Sequence, residues 1–447
     1  MGRIITAAGV AAAAVAAGLV GGVGPAAAAT QVPCSTSALV SAISGAASGA
    51  TLGLASGCTY VLTAGLPTVS KDLTINGHGA TLERSTATGT PSFTILIVAD
   101  GTVTLNRLSF TNGAGAITAH DVAQLNVTGG TFSDNTAVEG PAINSTGSAI
   151  VQVTGASFVD NTATGNGGAM YVYTALGNQI TNCRFVGNTA GGSGGAYWEW
   201  SNGTEIVDST FRGNTAKTGG ALYLGDQGSG IIGTVIHGNS ATGDGGGIFD
   251  YSATPTAISD SEITGNHAGG VGGGLDEESP VFEGPVTGTL IKNNSATDGG
   301  GIYDGNSVWA QYTDDTISDN HATGQGGGID SVGAPLSFTG TTISGNRAGG
   351  DGGGIDNSPD FVPPNTLSAS FTDSLISGNH AGASGGGVYN QGPVDVSSTP
   401  ITGNQAARGG GIYDYGTAAM VTVTDPFPTG NTPDNCEPLG SITGCTD

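Results

Sequence analysis

The chain has 447 residues, of which 82 are glycine, 18 are proline and only 10% are charged. Glycine at more than twice its average share of about 7%, without a Gly-X-Y period, excludes collagen, and 37% apolar residues exclude a disordered chain. A helical globule is excluded because glycine costs about 1 kcal/mol per helical position relative to alanine, and the net charge of −25 excludes a nucleic-acid partner, whose phosphates it would repel.

In chain order, Met1 to Ala29 carries Arg3, an apolar run to about Val23 and a Pro25-Ala-Ala-Ala-Ala29 end. That pattern predicts a secretory signal with an A-x-A cleavage site, and a secreted or cell-wall-associated product. No later segment is apolar for long enough to cross a bilayer, so membrane insertion is not expected. Five cysteines in an exported chain predict two disulfides and one leftover thiol. Cys34–Cys58 and Cys436–Cys445 would staple the two ends. Cys183 takes a place that other repeats fill with Ser209, Ser261, Thr341 or Ser374, which predicts an inert packed thiol. Residues 30–65 are read as an N-terminal cap, with a short amphipathic helix over Ser37–Ser44 closing the open end. Residues 66–431 carry a repeat, and 432–447 form a disulfide-closed tail.

The repeat dominates the sequence. A phrase [F/I]-x-x-N-[T/S/H]-A recurs with Asn135, Asn161, Asn188, Asn214, Asn239, Asn266, Asn294, Asn320, Asn346, Asn379, Asn404 and Asn431, at intervals of 25 to 28 residues and one of 33. A glycine phrase follows, as in Gly167-Gly168-Ala169 and Gly299-Gly300-Gly301, and then an aliphatic residue, Met or Tyr. Three short strands at about 3.3 Å per residue, with their turns, use up one such repeat. The period therefore predicts an all-β parallel solenoid of about 14 coils, stacked about 4.8 Å apart. Phe132, Phe158, Phe185, Phe211, Ile236, Ile263, Ile317, Ile343, Ile376 and Ile401 form an inward column. The asparagines form a hydrogen-bonded ladder. Helical repeats cannot carry three glycines in a row, and a propeller blade needs about 40 residues.

The paired motifs, as in Phe158-Val-Asp-Asn161 with Gly167-Gly168-Ala169-Met170, resemble those of right-handed parallel β-helix proteins of the pectin-lyase-like type that carry polymorphic outer-membrane protein repeats (FxxN and GGA[I/L/V]). The resemblance spans about 110 to 431 by motif and extends more loosely upstream through Leu73 to Leu82. It implies a right-handed β-helix and a bacterial surface or secreted setting. It does not imply an activity, because one solenoid hosts enzymes, adhesins and spacers alike.

Function must come from outward columns. The second residue after the glycine phrase reads Tyr171, Trp198, Tyr223, Phe249, Asp276, Tyr303, Asp330, Asp356, Tyr389, Tyr413. The third reads Val172, Glu199, Leu224, Asp250, Glu277, Asp304, Ser331, Asn357, Asn390, Asp414. Taken together, they predict an aromatic stripe interrupted by a carboxylate cluster on one face. The long segments at Glu277–Pro285 and Ser358–Asn365 would wall it. Aromatic faces stack on sugars and carboxylates bind hydroxyls, so the expected partner is a polysaccharide or cell-surface glycan. It would be held by Trp198, Glu199, Tyr223, Phe249, Asp250, Glu277, Tyr303 and Tyr389 of a monomeric, non-catalytic binding protein. The alternative is a glycoside hydrolase using two of Asp276, Asp304, Asp330 and Asp356; neighbouring coils place carboxyls within the reach of both inverting and retaining geometries. A polyuronate lyase is not expected, since no Lys or Arg stands in either column. A further alternative is a structural spacer. No cofactor is expected, although the acids could share Ca²⁺. His267, His321 and His380 lie about two coils apart, too far for one zinc ion.

Overall fold

A chain whose Phe/Ile column recurs once per repeat must return to the same lateral position at each recurrence. The computed structural model, which describes residues 29–121, 123–174, 177–278, 284–305, 309–333, 335–358, 368–415, 421–438, 442–443 and 445, does this by coiling about 15 times. Each regular coil places one strand in a 15-stranded sheet, two in a 28-stranded sheet and a two-residue strand in a 10-stranded sheet. All pairings are parallel, and equivalent residues stand in register: Phe158 pairs with Phe185, Ile236 with Ile263, and Ile343 with Ile376. The predicted core column is present and fully buried, with Ile291 filling the coil between Ile263 and Ile317. Phe110, Phe132, Phe158, Phe185 and Phe211 stack ring on ring at 4.4–5.1 Å. Each buried ring contributes about 1.5–3 kcal/mol of apolar transfer.

Two turns are held by side-chain ladders. In the first, each asparagine Nδ2 donates to the next asparagine's Oδ1, as Asn266 does to Asn294 at 3.1 Å, and also to a core carbonyl of the preceding coil, Ile236 O at 3.0 Å. The same Oδ1 accepts the preceding asparagine's backbone N–H and Nδ2, so every polar atom of the buried amide is used. The ladder runs unbroken from Asn135 to Asn431 and ends on Asn435. The second ladder is built of hydroxyls: the backbone N–H of each coil donates to the next coil's Oγ, through Ser209, Thr234, Ser261 and Thr289, and later Thr341, Ser374 and Thr399. Each hydroxyl donates to the carbonyl two residues earlier, as Ser374 does to Thr372 O.

Asp315 stands in this hydroxyl ladder. It is buried, one carboxylate oxygen lacks a hydrogen bond, and burial pushes its acid up to about 7. Asp315→Thr, which installs the residue used in the adjacent coils, is expected to raise stability at pH 8 by about 1–3 kcal/mol, the cost of an unsatisfied buried group. The gain should vanish below about pH 3, where the acid is neutral in both folded and unfolded chains. Urea midpoints at the two pH values check it.

The glycine corner is required by geometry. Gly299 has φ of +60°, and a Cβ on Gly300 would lie 2.4 Å from the carbonyl oxygen of Gly327 in the next coil. The predicted helix is observed over Thr36–Gly45, burying Leu39 and Ile43 against the solenoid's open end. The segment expected to be only a cap also contributes Thr30–Val32, Ala50–Leu54 and Thr59–Leu62 to the long sheet, so the sheet starts earlier than residue 66. At the other end Cys436–Glu437 pairs with Ile412 and Tyr413, carrying the sheet into the tail. Cys34 is bonded to Cys58 and Cys436 to Cys445, whereas Cys183 is a free buried thiol whose pKa burial pushes up to about 11, out of reach of a nucleophile's role. The predicted signal lies outside the described residues up to residue 28.

Candidate functional site

Alternation along the strands of the 15-stranded sheet decides which candidates can meet a ligand. The first residue after the glycine phrase, such as Ile302, points inward, so the second points outward and the third inward again. The expectation of a single face carrying both columns is therefore corrected. Glu199, Asp250, Glu277 and Asp304 are buried inside the solenoid, on the opposite side of the sheet from Trp198, Phe249, Asp276 and Tyr303. Their roles are internal. Glu199 accepts hydrogen bonds from Tyr197, Ser201, Thr204 and Ser229, and Ser331 donates to Asp304 at 2.8 Å. Ser252 donates to Asp250 through its backbone N–H at 2.9 Å. Burial raises the pKa of both Glu199 and Asp250. Above them Asn357, Asn390 and Asp414 link at 2.7 and 3.1 Å, so the third-residue column is a polar seam in the core.

The outward column keeps strict register: Phe249, Asp276, Tyr303, Asp330, Asp356 and Tyr389 pair in turn across successive coils. Its aromatic members cover one another. Tyr171 and Trp198 stack at 4.4 Å with planes 2° apart, and Trp198–Tyr223, Tyr223–Phe249 and Tyr389–Tyr413 follow at 5.2–5.8 Å. Trp198 and Tyr389 are each only 8% exposed. Ring faces spent on neighbouring rings cannot also receive a sugar, so these residues chiefly stabilise the sheet. The three outward acids are covered as well: Asp276 and Asp356 are 0% exposed and Asp330 3%. Burial is the first cause that raises all three, Asp276 to about 9, Asp330 to about 8 and Asp356 to about 7, with neighbouring acids adding to it. Asp304 cannot act with any of them on one substrate, because the sheet stands between. Of the predicted walls, Glu277–Pro285 and Ser358–Asn365, residues 279–283 and 359–365 lie outside the described residues.

The accessible aromatic surface lies two residues further along, where alternation points outward again. Tyr173 is 52% exposed, Tyr251 46%, and Trp200 is half-buried. The indole of Trp200 leans over Gly225 of the next coil, where a Cβ would come within 2.8 Å of its ring. Tyr173, Thr174, Trp200, Asp226 and Gly147 line a shallow depression of about 240 Å³. Sequence reasoning stopped one outward position too early and missed these residues. The signal was present: Tyr173, Trp200 and Tyr251 stand at i+2 from Tyr171, Trp198 and Phe249.

His267 and His321 are exposed and His380 is half-buried in the short sheet, with Ser295 between the first two. Among the described residues no group of three or more His, Cys, Asp or Glu side chains is placed to hold a metal ion. No helix among them is long and apolar enough to cross a membrane.

Residues 73–229 match the family described as "Right handed beta helix region". The fold is a right-handed parallel β-helix. No curated protein matches the chain. One face of this β-helix carries an open aromatic depression at Tyr173 and Trp200, a stacked aromatic ladder beside it, and covered acids further along.

Proposed function

We propose that this β-helix is an exported, non-catalytic binding protein that holds a glycan at the depression formed by Tyr173, Trp200 and Asp226. The observation that carries the reading is the meeting of the exposed Tyr173 ring and the half-buried Trp200 ring with the half-buried carboxylate of Asp226 at one shallow concavity. Rings receive the C–H faces of sugars and the carboxylate accepts hydroxyl hydrogen bonds, which together orient a ligand at a site of mixed polar and apolar lining. The disulfides and the signal-like N-terminus support an oxidising, extracellular setting. The repeat's likeness to polymorphic outer-membrane protein motifs supports a role at a cell surface. A hydrolase is disfavoured because its candidate acids are covered, and Asp304 faces the core.

Trp200→Ala and Tyr173→Ala are each expected to weaken binding to an oligosaccharide selected on the wild-type protein about tenfold, equivalent to about 1.4 kcal/mol. Calorimetric titration checks this, with unchanged far-ultraviolet circular dichroism as the control. Equal affinity in both variants would remove the site. Release of new reducing ends that stops in Asp330→Asn or Asp356→Asn would replace the binding reading with a hydrolase.

A further inference from the structure

Beyond Phe249 the outward face turns acidic, in two rows that run side by side along the solenoid. At the glycine corner Asp244, Asp298 and Asp351 recur at every second coil, with Val271 and Gln325 between them. Each uses Oδ1 to accept the backbone N–H of the equivalent residue one coil on: Val271 at 3.0 Å, and Gln325 and Ser384 at 2.7 Å. The backbone thus pins three half-buried carboxylates two coils apart, about 9.6 Å.

The neighbouring row supplies a second, independent observation. Asp276 is 0% exposed, points to the same outer side, and has no hydrogen bond at either carboxylate oxygen. One oxygen of Asp330 and one of Asp356 are likewise without a partner. The rows share one field, since the charge of Asp244 acts on Asp276, that of Asp298 on Asp330 and Asp356, and that of Asp351 on Asp356. No Lys or Arg stands in either row between Asp244 and Asp356. Orphaned carboxyls beside fixed carboxylates call for positive charge from outside the chain. A single metal ion does not suit acids so spread out, and no set of three is placed to hold one among the described residues. Cations distributed along a linear molecule do suit them.

The row of Asp276, Asp330 and Asp356 stands on the same sheet face as the aromatic depression, and the corner row of Asp244, Asp298 and Asp351 runs beside it, so a chain lying along the axis passes both. We propose that the ligand is a β-1,4-linked amino-sugar polysaccharide, with its rings on the Tyr173/Trp200 end and its ammonium groups on Asp244, Asp298 and Asp351. This rests on the glycan reading above and narrows it to a cationic class. In such a chain successive sugars are flipped, so the same edge, and its amine, recurs at every second sugar. The acids recur at every second coil.

The test compares an oligomer of β-1,4-linked glucosamine with its N-acetylated counterpart of equal length, by calorimetric titration at mildly acid pH. The triple variant D244N/D298N/D351N keeps an Oδ1 acceptor at each corner. Asn166 already plays this part towards Ser193 N at 2.9 Å, so the variant is expected to fold. The charged oligomer should bind at least roughly tenfold more tightly than the acetylated one, lose affinity with salt, and lose about tenfold in the variant. Equal binding of both oligomers, or an unchanged variant, overturns the amino-sugar assignment and leaves the glycan reading standing. Spermine competing as well as the oligomer overturns it too, by showing a general cation surface. Absence of binding to either oligomer or to any neutral glycan removes both readings.

Discussion

Asn266→Ala is expected to lower the stability of the whole solenoid by about 4 kcal/mol or more. The alanine would remove an amide that makes four hydrogen bonds, and the damage falls on the groups left behind. The Asn239 backbone N–H and Nδ2, the Asn294 Oδ1 and the Ile236 carbonyl all lose a partner in a core without water access. The Asn239 backbone N–H is left without a partner, at about 1–3 kcal/mol. Asn239 Nδ2 still reaches Phe211 O and Asn294 Oδ1 still accepts the backbone N–H of residue 266, and each of the other lost bonds adds about 1 kcal/mol. Asn266→Asp should be nearly as severe, because a carboxylate can accept from Asn239 but cannot donate to Asn294 or Ile236. Asn431→Ala is the internal comparison: Asn431 is 9% exposed at the end of the ladder, and water can replace part of what it loses. Denaturant unfolding measures all three. A loss below about 1 kcal/mol at Asn266 would show that the ladder does not govern stability.

Stability is also expected to fall as the pH rises from about 5 to 8, the reverse of ordinary acid denaturation. An unfolded aspartate titrates near 3.9. In the folded chain burial holds Asp356 and Asp315 at about 7, Asp330 at about 8 and Asp276 at about 9. These acids are neutral in both states below about pH 3, so no penalty exists there. Above it the unfolded chain ionises first, and stability is lost until the pH passes each folded value. Each group can remove up to about 1.4 kcal/mol per pH unit in its window. Asp330 and Asp356 act on one another, so their two losses do not add in full, whereas those of Asp276 and Asp315 are separate. Asp276→Asn should flatten the profile most, having the widest window. Urea midpoints across this range at constant ionic strength measure it, and a midpoint that holds steady or rises to pH 8 would refute the account.

Much of the fold was legible because a solenoid repeats its own evidence. The asparagine column could be read from twelve recurrences, and each one stacks where the period places it. The helix over Thr36–Gly45 was legible from its apolar spacing, and the two disulfides from the position of their cysteines at the ends. The site was less legible. Glu199, Asp250, Glu277 and Asp304 were read onto the surface because column reading along the repeat ignores alternation along the strand, which turns each neighbour to the other side. Charge was taken as a sign of exposure, yet these acids are tolerated inside because Ser201, Ser229, Ser252 and Ser331 donate to three of them.

The glycine-rich, weakly charged sequence by itself determined the coil, its period and its asparagine ladder, since stacking identical positions about 4.8 Å apart leaves the buried turn amides one way to pair. Only the tertiary structure decided what the coil presents outside. How far a ring is covered depends on which residue lies one coil above: Trp198 has Tyr223 stacked on it and is almost fully covered, whereas Trp200 has Gly225 there and stays half-buried, with its ring beside Trp198. Whether an aspartate is a surface charge or a covered acid, as Asp244 and Asp276 show, depends on the burial and hydrogen bonds that neighbouring coils supply.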